Sequence, residues 1–256
     1  MASHLSDIVG VPNHPVDVAV ARLEAARRVT VLTGAGVSAA SGVPTFRGAG
    51  GLWRDYRAED LATPEAFERD PVLVWEWYGW RRRLVAATRP NAAHDVLARW
   101  TARWPTCTVI TQNVDDLHVR VGTARLVRLH GSLWELSCWQ RCGAPAWRDE
   151  RVPIDPMPPR CPACGGLARP GVVWFGEALP AGEVEKAVEA CACDVFLSVG
   201  TSSVVYPVAG LVQQARSQGA FTIEINPEVT PVTASVDLAL AEPADAALGL
   251  IDSRLR

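Results

Sequence analysis

Residues Gly34 to Gly48, GAGVSAASGVPTFRG, follow directly on the apolar run Val29-Thr-Val-Leu-Thr33. A strand breaking at Gly34 and Gly36 leaves backbone N–H groups able to approach a pyrophosphate, and a helix N-terminus behind them favours negative charge. The first expectation is therefore a nucleotide site. Three further apolar runs end in small or polar residues: Cys107 to Thr111 before Gln112-Asn113, Val195 to Val199 before Gly200-Thr-Ser, and Phe221 to Ile225 before Asn226-Pro-Glu. Each reads as a buried parallel strand. Helical patterns lie between them, at Ala181 to Cys193 and at Tyr206 to Gln218, the second ending at Gly219. This alternation predicts an α/β fold with a Rossmann-like, doubly wound parallel sheet, whose ligand sits beyond the carboxyl ends of the strands.

Two stretches break the alternation. Residues 48–90 carry a tryptophan- and arginine-rich helical pattern, and 137–171 are dense in Cys, Pro and Gly. The expected division is 1–47, 91–136 and 172–256 as the nucleotide-binding domain, with 48–90 as a helical insertion and 137–171 as a zinc-binding module. Together the two inserts would form a small zinc-ribbon plus helical domain.

At 256 residues the chain can bury a full core without disulfides. A net charge of −3 supplies no basic field for nucleic acid or an anionic membrane. The first twenty residues lack a secretory pattern and no segment approaches a membrane-spanning apolar run, so a cytoplasmic monomer without nucleic-acid or membrane partners is expected.

Cys138, Cys142, Cys161 and Cys164 form C-x3-C, an 18-residue gap and C-P-A-C, followed by Gly165-Gly166. Four thiolates suit tetrahedral, structural Zn²⁺. A pair of disulfides is the alternative, disfavoured in a chain read as cytoplasmic. The three-residue spacing of the first pair departs from the commoner two. Cys107, Cys191 and Cys193 fall in strand or helix pattern and read as buried apolar residues.

Gly34-x-Gly36-x-x-Ala39 matches the dinucleotide fingerprint loosely. A hydride-transferring dehydrogenase needs a second strand ending in Asp or Glu some 20 residues on. Here that stretch reads as loop, and the dehydrogenase reading fails. GAGVSAASGVPTFR, TQNVDDLH, LHGSL, the four cysteines, RPGVVWFGE, GTSSVVYP and INPE together resemble the sirtuins, NAD-dependent protein deacylases, across nearly the whole chain. One departure is Ala40, where the family commonly has Glu.

The resemblance implies that NAD is consumed: the acyl-lysine oxygen attacks the ribose C1′ as nicotinamide leaves, and 2′-O-acyl-ADP-ribose is released. It makes His130 the base for the ribose hydroxyls, a task suited to an imidazole, with Asn113 at the ribose and Asp115 at the nicotinamide carboxamide. His118 reads as structural. Phe46 and Arg47 resemble the loop covering nicotinamide, beside Pro44. Gly34, Ala35, Gly36, Ser38, Gln112 and Gly200 complete the implied NAD contacts, with Thr201, Ser202, Asn226, Pro227, Glu228 and Ala244 on the adenosine half. The acyl-lysine protein substrate would pair its backbone with Val173, Phe175, Gly176 and Glu177 on one side and with Val205 and Tyr206 on the other.

The helix beginning at Asp70-Pro71 contains the clue to the acyl group. Tyr78 shares a helical face with both Arg81 and Arg82, and spacing cannot choose between them. Resemblance to the sirtuin class that removes succinyl and malonyl groups selects Tyr78-x-x-Arg81 as reader of a distal carboxylate, which a guanidinium can grip with two parallel bonds. The competing readings are a solvated arginine face on a general deacetylase or mono-ADP-ribosyltransferase, and a non-catalytic ADP-ribose or nucleic-acid binding module.

Overall fold

The computed structural model describes residues 14–44, 52–205 and 207–256. Helix α1 (Pro15–Ala25) leads into β1 (Val29–Thr33), followed by a 3-10 turn over Ala35–Ser41. The short hairpin β2 (Leu52–Trp53) and β3 (Tyr56–Arg57) precedes α2 (Ala58–Leu61), α3 (Pro64–Arg69), α4 (Pro71–Ala87) and α5 (Ala92–Arg103). Then come β4 (Cys107–Thr111), α6 (Leu117–Arg120), β5 (Leu126–Arg128), β6 (Gly131–Cys138), β7 (Trp147–Arg148) and β8 (Ala168–Val172). The chain closes with α7 (Ala181–Ala190), β9 (Val195–Val199), α8 (Gly210–Ser217), β10 (Phe221–Ile225), β11 (Leu238–Leu240) and α9 (Ala244–Arg254).

All four strands read from the sequence form over the expected residues, and β5 and β11 extend them to a six-stranded sheet in the order β11-β10-β9-β1-β4-β5. Every pairing in it is parallel. The chain runs outward from β1 through β4 to β5, then restarts at β9 on the opposite side, so a crevice opens at the carboxyl ends of β1, β4 and β9. Side chains alternate between two cores, as strand geometry requires. Val29, Val31, Val109, Leu197 and Ile223 pack against Leu23, Leu97, Trp100, Leu248 and Ile251 of α1, α5 and α9. Leu32, Ile110 and Phe196 face Ala187, Leu211, Val212 and Ala215 of α7 and α8 on the other side. The sheet is thus doubly wound.

A third core lies outside this sheet, where α2, α3 and α4 pack on the antiparallel sheet β7-β6-β8. Helix α4 starts where its sequence says it should: Asp70 Oδ1 accepts from the Leu73 N–H at 2.9 Å and Pro71 occupies the first turn. Val74, Trp75, Tyr78, Arg82 and Val85 follow at helical spacing on its buried face. Strand β6 begins at Gly131, immediately after His130, so the second layer starts directly at the crevice. Among the described residues no helix is long and apolar enough to cross a membrane.

Candidate active site

The strand ends meet as the topology demands. Gln112 Nε2 donates to Thr201 Oγ1 at 2.9 Å and Asn226 Nδ2 to the Thr201 carbonyl at 3.1 Å, tying the ends of β4, β9 and β10 together. Around them is a cavity of about 1470 Å³, larger than the ~300–1,000 Å³ of a single drug-sized site. Gly34, Ala35, Gly36, Gln112, Asn113 and His130 line its floor. Gly200, Thr201, Ser202, Asn226, Pro227, Glu228 and Ala244 line one end. Tyr78, Arg81, Val173, Phe175, Gly176, Glu177 and Val205 line the other. Phe46, Arg47 and Tyr206 lie outside the described residues.

The glycines act differently from the sequence expectation. The Gly34 N–H donates to the Val199 carbonyl at 3.1 Å and the Gly36 N–H to that of Gly200 at 2.8 Å, so neither is open to a pyrophosphate. Their need is steric. A Cβ at Gly34 would stand 2.7 Å from the Thr201 Cα, and one at Gly36 would stand 2.7 Å from the Gly200 Cα. The glycines let two strand ends touch, and the Ala35 N–H, first in the 3-10 turn, has no acceptor within that turn.

His130 is oriented by its own chain neighbourhood. Its Nδ1 lies 2.8 Å from the Gln112 carbonyl, which can only accept, so Nδ1 carries the proton and Nε2 is left basic. Burial holds its pKa below the ordinary 6.5, keeping the ring neutral at neutral pH.

A smaller cavity of about 50 Å³ adjoins the larger one, sharing Ala35, Arg81 and Asn113 with it and reaching Pro44 and Asp115. Behind its wall, Ser38 donates to Asp115 Oδ2 at 2.7 Å and accepts from Asn113 Nδ2 at 3.1 Å. Asp115 Oδ1 accepts from the Leu117 N–H at 2.9 Å. Burial raises the Asp115 pKa, opposed by those two hydrogen bonds. Ser38 is wholly buried, so its place is behind the site, fixing Asn113 and Asp115.

Two histidines support it. His94 Nε2 lies 3.4 Å from Ser38 Oγ and His118 Nε2 lies 3.2 Å from Thr33 Oγ1, with ring centroids 4.9 Å apart. His118 is structural, as the sequence reading has it. His94 escaped that reading; its signal is the Asn91-Ala-Ala-His94 capping box, in which Nδ1 accepts from the Asn91 N–H at 3.2 Å. Sequence reasoning also missed Trp174, Asp245 and Ala246 on the cavity wall.

The three consecutive arginines separate cleanly. Arg82 is buried, with Nε donating to the Leu133 carbonyl at 2.7 Å and Nη1 to Asp149 Oδ1 at 3.0 Å. Arg83 is exposed. Arg81 lies over the rings of Trp77 and Tyr78 and lines both cavities. Burial lowers its pKa, but an arginine starts so high that it stays cationic.

Segment 173–177 directs most of its N–H groups inward. Those of Val173, Phe175 and Glu177 donate to the carbonyls of His130, Ala62 and Trp174, and that of Trp174 donates to Glu177 Oε2. A peptide pairing here would meet the Val173 and Phe175 carbonyls and the Gly176 N–H.

The four cysteine sulfurs lie within 4.8 Å of one another, at 3.6 Å for Cys138 to Cys164 and 3.8 Å for Cys142 to Cys161. A tetrahedron with Zn–S bonds of about 2.3 Å has edges of about 3.75 Å, so the thiolates fit the ion, while disulfide sulfurs would be about 2.05 Å apart. The longer first spacing is absorbed by Arg141 in the left-handed region, φ 51°. All four valences are supplied by protein, so the ion is structural. Cys107, Cys191 and Cys193 are buried, and burial pushes their thiols up to about 12, 12 and 11.

A doubly wound sheet with a polar crevice at its strand ends, joined to a four-thiolate module, defines a nucleotide-using α/β protein with a structural metal. The Sir2 family model matches residues 34–207, and the chain belongs to that family. The NAD-dependent protein deacylase of Aquifex aeolicus is 48% identical over 229 residues, 89% of this chain and 95% of the relative. NAD-dependent protein deacylase 1 of Pseudomonas aeruginosa is 51% identical over 215 residues, 80% of this chain and 85% of its own. A solved Sir2 homologue in complex with NAD superposes with a TM-score of 0.87 at 42% identity, covering 93% of this chain and 92% of that one. A Sir2 protein bound to an acetylated peptide gives 0.82 at 26% identity, covering 93% and 97%.

Proposed function

We propose that this chain is an NAD-dependent protein-lysine deacylase that prefers acyl groups ending in a carboxylate, succinyl and malonyl, and accepts acetyl as a lesser substrate. The activity itself follows from family membership and from relatives that carry it over most of their length. NAD supplies an electrophilic ribose C1′ with nicotinamide as leaving group, and the acyl group ends on the ribose as 2′-O-acyl-ADP-ribose. The polar groups of the crevice suit the dinucleotide: Asn113 for ribose hydroxyls, Thr201, Ser202 and Asn226 with the accepting carboxylate of Glu228 for the adenosine half, and the Ala35 N–H at the turn for phosphate. Asp115, held by Ser38 and the Leu117 N–H, would orient the carboxamide in the smaller cavity. His130 would take a ribose hydroxyl proton at Nε2, the nitrogen left free by the bond to Gln112. The substrate backbone would run between the Val173 and Phe175 carbonyls and Val204-Val205.

One observation carries the acyl preference: Arg81 and Tyr78 stand on the wall of the cavity that also contains Asn113 and His130. A fixed guanidinium and phenol there give a terminal carboxylate charge-assisted partners, while acetyl leaves them unused. Residues 1–47, 91–136 and 172–256 would serve as the NAD-binding domain and 48–90 with 137–171 as the small domain, in a cytoplasmic monomer whose thiols stay reduced.

Steady-state rates on acetyl-lysine and succinyl-lysine versions of one peptide, for wild type and Arg81→Met, test the reading. A succinyl preference that collapses in the variant, with acetyl turnover kept, supports it. Equal rates unaffected by the substitution leave a general deacetylase.

A further inference from the structure

The Tyr78 phenol is held on its oxygen. Trp174 Nε1 donates to Tyr78 Oη at 2.9 Å, and both rings are nearly inaccessible, at 2% exposure each. The Arg81 guanidinium lies over the same ring, 5.7 Å from its centroid. A phenol that accepts from the indole still has its own O–H to donate. Among the described residues nothing accepts that proton, and Tyr78 lines the acyl end of the cavity.

The indole cannot swing away. Arg169 lies over its ring at 3.6 Å and is itself fixed by two bonds to Glu177, at 2.5 and 2.8 Å, and one to the Val172 carbonyl at 2.9 Å. Glu177 Oε2 also accepts the Trp174 backbone N–H at 2.8 Å. The residue that sets the phenol is therefore flanked by Val173 and Phe175, the positions proposed to meet substrate backbone.

We propose that Trp174 is a positioning residue for acyl specificity: by donating its indole N–H to Tyr78 Oη it aims the phenol proton into the acyl cavity, at the terminal carboxylate of an acidic acyl group. Without that donor the phenol is free to rotate its proton onto other acceptors, and the carboxylate loses a pre-set partner without any change at the reacting atoms. The inference rests on Tyr78 and Arg81 reading the carboxylate, as proposed above.

The test is the KM and kcat of Trp174→Phe, Tyr78→Phe, their double variant and Arg81→Met on the succinyl and acetyl peptides. Trp174→Phe keeps a ring under Arg169 and deletes the N–H. Its succinyl KM should rise about five- to tenfold, the worth of one neutral hydrogen bond, with acetyl KM and both kcat values unchanged. In the Tyr78→Phe background it should change nothing further, because the partner is gone. Succinyl-specific losses in Tyr78→Phe and Arg81→Met without one in Trp174→Phe would overturn the role of Trp174 and leave the acyl reading standing. No succinyl-specific loss in Arg81→Met would overturn the reading, and this inference with it. If Trp174→Phe depresses both substrates alike, replacement of Trp174 by β-(3-benzothienyl)alanine decides. That ring keeps the indole volume without the N–H, so a succinyl-specific rise in KM supports the role and an equal loss on both substrates overturns it.

Discussion

Arg81, Arg82 and Arg83 show how far three identical neighbours can diverge once a helix rotates each by about 100°. Arg82 is inside, so Arg82→Met leaves the Leu133 carbonyl without its donor and Asp149 with Arg151 alone. Breaking a buried pair this way costs about 3 kcal/mol, the low end of the range because Arg151 remains; chemical denaturation should show that loss while acyl preference is kept. The buried histidines predict a pH effect. Burial pushes His94 down to about 4 and His118 to about 3, against 6.5 when unfolded. Both are neutral in the native state, so the unfolded chain binds more protons below 6.5, and stability is lost as pH falls. The slope is about 1.4 kcal/mol per pH unit for each histidine between pH 6 and 4.5, measurable by urea melts at several pH values. His130 moves the same way, so the acid limb of kcat/KM should lie below pH 6.5. A limb above 6.5 would mean a different base.

At the level of elements, the strand ends and the metal module make separate demands. Gly34→Ala puts a methyl 2.7 to 2.8 Å from the backbone of residues 200 and 201, atoms that no side-chain rotation can move. About 1–3 kcal/mol of stability should be lost through overpacking, together with NAD affinity, and calorimetry with NAD titration reads both. Chelating zinc should melt β6, β7 and β8, because the metal's binding energy is also folding energy for such modules. Strands were the most legible elements: Val29–Thr33, Cys107–Thr111, Val195–Val199 and Phe221–Ile225 are apolar on both faces and end in small or polar residues, a local signal. Leu126–Arg128 and Leu238–Leu240 are edge strands of three residues, too short for a pattern of their own. The site's cysteines and polar strand ends were legible by spacing and resemblance. Trp174 and His94 were not, since their roles depend on contacts 96 and 56 residues away in sequence, with Tyr78 and Ser38. The steric demand on Gly34 and Gly36 is hidden in the sequence for the same reason: the 200–201 turn they touch is remote along the chain.

Across the whole molecule, the turn from Asn113 to Asp116 is where the two layers join. The Leu133 N–H donates to the Val114 carbonyl at 2.9 Å and Trp134 Nε1 to that of Asp115 at 3.2 Å, so β6 of the second layer holds a turn of the first. Asp116, in the left-handed region with φ 61°, closes the junction. Its carboxylate is buried and meets Arg128 at 3.6 Å, Arg148 at 3.1 Å and Ser132 Oγ at 2.8 Å, so one group ties β5 of the parallel sheet to β7 and β6 of the second layer. Asp116→Asn keeps the size and tolerates the backbone while removing the charge that the two arginines share. Coupling between layers should weaken more than either layer does. The tryptophans make this visible: eight of ten belong to the second core or pack against it, and only Trp100 and Trp104 to the first. Tryptophan fluorescence therefore follows the second layer and far-ultraviolet circular dichroism chiefly the helices around the parallel sheet. In the wild type the two denaturation curves should coincide, the signature of one cooperative unit. In Asp116→Asn the fluorescence midpoint should move to lower denaturant ahead of the dichroism. Coincident curves in both proteins would show that the backbone bonds of Val114 and Leu133 suffice to keep the layers together, and that the Asp116 carboxylate adds nothing to their coupling.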